Sequence, residues 1–282
     1  MSPVLSSLCV LTLAVAPMRP DTHFIQVAPV EREAAKCERT PKQQRAVVLL
    51  HGLEPHFFSK SAVLQPAFRP WQGADSVLVK KLGQDSDVYA FAYTQNVAAD
   101  EVVEVPDLGN DIERLKKLGY KEIVLVGFSA GGLIAREFVE DHPDGGVTKV
   151  VQVCAPNGGS GWAKVKAVRS LQSDFLGSLT KENRRKVLHE RGDKRIPENV
   201  EFVCLVGNGI VLGDGFVSTK SQWTEELQEQ GIPAYAVAVT HLHVMQNKKA
   251  ISVLAEVIHD PQPRWDAKQV AKARKEILVK DR

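Results

Sequence analysis

The sequence predicts an α/β fold, a mostly parallel central sheet flanked by helices, and three observations lead there. From about residue 46 onward, short runs rich in Val, Ile and Leu alternate with stretches whose apolar residues recur at helical spacing. These runs are apolar almost without interruption, as strands covered on both faces must be. One of them, Ile123–Val126, passes through Gly127-Phe128-Ser129-Ala130-Gly131-Gly132 directly into a helical stretch, and a serine on so tight a strand-to-helix turn is held exposed.

Composition narrows the class. The chain has 282 residues, enough for one large α/β domain or two small ones with a sizeable core. With 44% hydrophobic and 25% charged residues it reads as an ordinary globular protein. A formal net charge of +2, with no basic stripe interleaved with aromatics, argues against nucleic acid as a partner.

Residues 1–18 read as a signal peptide or an N-terminal apolar segment. The run Val4–Ala16 is too short to span a bilayer but matches the hydrophobic region of an export signal, which points to a periplasmic or secreted protein. No Lys or Arg precedes that run and Pro17 follows it, so a cytoplasmic location stays open. Of the four cysteines, Cys154 and Cys204 fall in apolar runs and behave there as small hydrophobes. No Cys-x-x-Cys or His/Cys cluster has metal-ligand spacing, so neither a structural zinc nor a disulfide framework is expected.

The elements follow in order within a core domain spanning residues 23–260. His23–Val30 reads as an early edge strand, followed by strands at Ala46–Leu50, Val88–Tyr93, Ile123–Val126, Lys149–Cys154, Glu201–Val206 and Ala234–Val239. Asp107–Leu118 is a helix with Ile112, Leu115 and Leu118 on one face and Gly119 as its stop. A second helix, Ala130–Asp141, follows the serine turn, and a third, Lys248–Ile258, closes the core. Between them, residues 158–197 form a longer, charge-rich helical insertion, placed where a cap or lid over a site would be built; a plain surface helix pair is the alternative. Residues 261–282 form a basic helical tail with Val270, Ile277 and Leu278 on a thin apolar face. A cationic tail of this kind can touch an anionic membrane surface, and packing on the domain is the plainer expectation.

The chemistry is read from where residues fall relative to strand ends, because crevices of open α/β sheets form beyond the carboxyl ends of the strands. A serine hydroxyl attacks well only beside a base, with an acid that fixes the tautomer of that base and donors for the developing oxyanion. Ser129 is the candidate nucleophile. Asp214, in the loop Gly213-Asp214-Gly215 just past the strand Glu201–Val206, is the candidate acid; the alternative is an Asx turn. His241 and His243 both follow the last strand, and on an extended segment they face opposite ways. His241 lies nearer the strand end and is the candidate base, which leaves His243 a structural role. His189 and His259 fall on helices and face solvent. Gly52 in His51-Gly52-Leu53 lets the main chain turn so that the N–H of Leu53 faces that of Ala130 as an oxyanion hole, with His51 supporting the loop. Phe57, Phe58, Phe128, Trp162, Phe175 and Phe216 are candidates for an acyl pocket, each equally at home in the core.

Taken together these blocks resemble the α/β-hydrolase superfamily and, within it, lipase-like serine esterases, over about residues 46–258. Leu50-His51-Gly52, the Gly127–Gly132 turn, Ala155-Pro156-Asn157-Gly158-Gly159-Ser160 and Gly213-Asp214-Gly215-Phe216-Val217 carry the likeness, with His241 behind them. The third block is similar to the Thr-Pro-His-x-Gly-Thr segment of lipases and departs from it with Ala155 and Asn157. The resemblance implies an α/β-hydrolase fold with a helical cap or lid insertion, and hydrolysis of a small-molecule or lipid ester through an acyl-enzyme, with no metal or organic cofactor. Thioester or amide hydrolysis on the same residues, and a non-catalytic relative that binds a lipid or a protein, are the alternatives.

Overall fold

The computed structural model describes residues 19–54, 63–164, 170–209 and 213–278. The apolar segment 1–18, with Cys9, and the aromatic pair Phe57 and Phe58 lie outside the described residues.

One eight-stranded sheet organises the described chain, with strands in the order β2-β1-β4-β3-β5-β6-β7-β8. The strands are β1 (Thr22–Ala28), β2 (Arg32–Glu33), β3 (Arg45–Leu50), β4 (Asp87–Tyr93), β5 (Glu122–Phe128), β6 (Lys149–Val153), β7 (Glu201–Gly207) and β8 (Ala234–Val237). From β4 to β8 all pairings are parallel, while β1 runs antiparallel to both β2 and β4. The strand expected at the edge is therefore second from it, because the two-residue β2 pairs on its outer side.

Each parallel strand is apolar on both faces because both faces are covered. Val48 and Leu50 of β3 join Phe91, Leu125 and Val150 on one side, under the helices Asp107–Lys117 and Ala130–Asp141. Val47 and Leu49 join Val88, Val124, Val151 and Leu205 on the other, under the helices Val77–Leu82 and Lys248–His259. This alternation within single strands is the period-two geometry of extended chain. The terminal helix Ala267–Leu278 buries Val270, Ala273 and Ile277 against the first of these layers. No helix among the described residues is long and apolar enough to cross a membrane.

The insertion contains the helices Ser173–Ser178 and Lys181–Glu190. Its second helix is tied to Ala130–Asp141 by a buried ion pair, Arg184 to Glu137 at 2.8 Å, and by a half-buried one, Arg191 to Glu140 at 3.0 Å. Arg136 on the same central helix pairs with Glu140 at 2.7 Å and with Glu226 at 3.1 Å.

Candidate active site

Chain order runs from β3 outward to β4 in one direction and to β5 in the other, so a crevice opens between the carboxyl ends of β3 and β5. In register, Leu50 is opposite Gly127. The segments that leave these two strands, His51-Gly52 and Phe128-Ser129, therefore lie side by side.

Ser129 sits at φ 53°, ψ −123°, a left-handed conformation that a non-glycine residue holds only when its surroundings impose it. The surroundings are crowded main chain. A β-carbon on Gly127 would lie 2.5 Å from Gly132 Cα, and one on Gly131 would lie 2.6 Å from the Leu50 carbonyl oxygen. The Ser129 N–H donates to the Val153 carbonyl at 2.8 Å, which pins the turn to β6. Ala130 opens the following helix, so its N–H has no acceptor within that helix.

Three distant side chains meet here. His241 Nε2 is 3.0 Å from Ser129 Oγ, and His241 Nδ1 is 2.6 Å from Asp214 Oδ2. Asp214 is buried; its other oxygen accepts the N–H groups of Phe216 at 2.9 Å and Val217 at 2.8 Å. Those two donors fix the orientation of the carboxylate. The same residue also holds the main chain of its partner, because the His241 N–H donates to the Asp214 carbonyl at 2.9 Å. With the Nδ1 proton given to Asp214, the Nε2 lone pair faces the hydroxyl.

Two phenylalanines flank the imidazole: Phe128 with ring centroids 4.9 Å away and Phe216 at 5.3 Å. Trp162 packs on Phe216 at 4.7 Å and is itself 50% exposed, so it belongs to the rim of the crevice. Phe175, by contrast, is fully buried beside Tyr93 and is core.

The loop after β3 is braced from below. A β-carbon on Gly52 would lie 2.6 Å from Ser129 Cβ and 3.2 Å from Ser129 Oγ, so the loop runs against the nucleophile and Leu53 follows immediately. The Gly52 carbonyl accepts from Gln95 Nε2 at 2.9 Å, Gln95 Oε1 accepts the Glu54 N–H at 3.0 Å, and Gln172 Nε2 donates to the Glu54 carbonyl at 2.8 Å. Glu54 also pairs with Arg69. His51 is fully buried, with Nδ1 2.8 Å from the Gly52 carbonyl, Nε2 accepting the Tyr93 N–H at 3.3 Å and its ring stacked on Tyr93. Burial, with the Arg69 charge nearby, lowers its pKa to about 3, so the ring is neutral and bears on the loop, away from the serine.

Other positions differ from the sequence reading or escaped it. The segment after β8 is not extended: the strand stops at Val237, and His243 N–H to Thr240 carbonyl and Asn247 N–H to His243 carbonyl bonds coil the chain into turns. His243 is exposed and bonded to Thr240 Oγ1 at 2.8 Å. His189 and His259 are exposed, as expected. Strand β6 ends one residue early because Cys154 takes φ 54°. Two amides hold the site together, and of these only Asn157, within the Ala155–Ser160 block, carries a signal in the sequence. Gln222 accepts the Gly207 N–H at 2.7 Å and donates to the Val217 carbonyl at 2.9 Å, which fastens the Asp214 loop to β7. Asn157 exchanges bonds with Gln152 and donates to the Gln222 carbonyl at 2.9 Å. Ligand atoms of Cys154, Asp214 and His241 lie within 4.8 Å of one another, a donor set of metal-binding type, though the His241–Asp214 contact already occupies two of its atoms.

No family model and no curated protein matches the chain. Solved structures do. A lipase from Bacillus licheniformis, BlEst2 in its mature form, is similar with a TM-score of 0.61 at 14% identity, covering 84% of this chain and 98% of that one. Aspergillus fumigatus lipase B is similar at 0.55 and 16%, covering 84% and 56% of the two chains. A monoacylglycerol lipase from Paleococcus ferrophilus is similar at 0.54 and 16%, covering 86% and 98%. At such identities the likeness shows the fold, and that fold is the α/β-hydrolase fold.

Proposed function

We propose that this chain, folded as an α/β-hydrolase, is a serine hydrolase of carboxylic esters. The observation that carries the reading is the hydrogen-bonded line from Ser129 Oγ through His241 to buried Asp214. On this reading His241 Nε2 removes the hydroxyl proton as Ser129 Oγ attacks the ester carbonyl. Asp214 orients the ring and stabilises the imidazolium that forms. The N–H groups of Leu53 and Ala130 receive the developing oxyanion, a contribution of about 3 kcal/mol per donor. His241 then returns the proton to the departing alcohol, leaving an acyl group on Ser129. Water, deprotonated by the same imidazole, releases the acid and restores the enzyme.

The substrate reading, a small-molecule or lipid ester, is supported by the lipases and esterases among the similar structures and by the aromatic rim of Trp162, Phe216 and Phe128. A fluorophosphonate probe tests the chemistry: wild type is labelled at Ser129 and Ser129→Ala is not. A folded wild-type protein that stays unlabelled at Ser129 overturns the reading and favours a non-catalytic binder. p-Nitrophenyl esters of rising chain length, beside matched thioester and anilide substrates, then fix the bond cleaved and the acyl length.

A further inference from the structure

We infer that Cys154 is a positioning residue for Asp214, holding the acid so that it can orient His241; this rests on reading Ser129, His241 and Asp214 as a catalytic set. By register, Phe128 is opposite Val153 and Val153 is opposite Leu205, so the residue after Val153 emerges between the nucleophile turn and the end of β7. That residue is Cys154, fully buried, with its N–H donated to the Leu205 carbonyl at 2.9 Å. Its sulfur lies within 4.8 Å of an Asp214 carboxylate oxygen. A β-carbon on Gly207 would stand 2.8 Å from Cys154 Sγ and 2.9 Å from Asp214 Cβ, so sulfur and acid press into the one gap this glycine leaves.

The backbone gives the second line of argument. Among the described residues only Ser129 and Cys154 hold a positive φ without being glycine. A β-carbon there is strained, and glycine would relieve it. A strained cysteine in place of glycine, buried beside the acid, is accounted for by what its side chain does: it turns an S–H donor toward the carboxylate, beside the N–H groups of Phe216 and Val217. Burial next to that carboxylate raises the thiol pKa well above the usual value, so the sulfur keeps the proton it donates.

The test compares Cys154→Ser, Cys154→Ala and Cys154→Gly in the full-length chain on p-nitrophenyl butyrate, with rates normalised to sites titrated by fluorophosphonate. Serine keeps a donor, alanine removes it, and glycine removes it while relieving the backbone. Expected are a fall in kcat of roughly fivefold for alanine and glycine, the worth of one ordinary hydrogen bond, with KM unchanged and serine near wild type. A packing role would instead follow the melting temperature, and the glycine variant separates the two. If glycine and alanine keep kcat within error of wild type, Cys154 does not position the acid. If wild type itself turns over no ester and Ser129 takes no probe, the catalytic reading fails first, which is a distinct result.

Discussion

Replacing Asp214 by asparagine keeps the shape of the acid and changes what it can offer. The carboxylate now accepts from His241 Nδ1 through one oxygen and from the Phe216 and Val217 N–H groups through the other. An amide has one acceptor end. If its oxygen stays under the two backbone donors, its NH2 group points at Nδ1, the ring must carry its proton on Nε2, and no lone pair faces Ser129 Oγ. If the amide flips to serve the imidazole, its NH2 group opposes two backbone N–H groups in a buried site, at a cost of a few kcal/mol. Either way the productive tautomer is lost, and kcat falls on the order of 10⁴-fold, about 5 kcal/mol of transition-state stabilisation. The assay is p-nitrophenyl butyrate turnover on titrated protein, with melting followed in parallel and Ser129→Ala as the floor. An Asp214→Asn variant that melts like wild type and keeps more than a tenth of its kcat refutes the argument that this carboxylate sets the tautomer.

Three further outcomes follow from the same geometry. His241→Ala brings kcat to the Ser129→Ala floor, whereas His243→Ala, losing only an exposed bond to Thr240, stays within about twofold; kcat on the same ester decides between them, and the reverse pattern reassigns the base. Gly52→Ala forces the loop off Ser129, since the new methyl would sit 2.6 Å from its Cβ, and kcat drops roughly 100-fold, the worth of one oxyanion donor, with circular dichroism unchanged. Between pH 6.5 and about 3 the unfolded chain binds a proton at His51 that the folded protein refuses. Stability from this group is complete above pH 6.5 and falls by about 1.4 kcal/mol per pH unit below it; urea unfolding across pH 7 to 4 shows a shallower acid slope in His51→Gln than in wild type, and equal slopes reject the assignment.

What could be read from the chain was local. The Ile123–Val126 run and its glycines announce a tight strand-to-helix turn because the apolar run and the crowding of Gly127 against Gly131 and Gly132 lie within ten residues. Gly213-Asp214-Gly215 and the histidines after β8 were likewise visible as residues just past strand ends, and the three side chains do converge. The braces were not legible. Gln222, Gln95 and Gln172 look like any polar residue until strand order brings them against carbonyls 15 to 118 residues away. Cys154 reads as a small hydrophobe because its apolar neighbours conceal that it leaves the strand facing a carboxylate. The coiling of the His241–His243 segment is not legible either, since nothing in Thr240-His241-Leu242-His243 shows that carbonyl acceptors three and four residues back will turn the chain.

The charged clasp between the nucleophile's helix and the far half of the insertion bears on how a substrate gets in. Severing a buried pair such as Arg184–Glu137 leaves a charge stranded in the interior, at a cost of about 3–5 kcal/mol. The stretch from Lys181 to Arg191 is thus moored to the helix that follows Ser129, and swinging it aside to admit a substrate would break that pair.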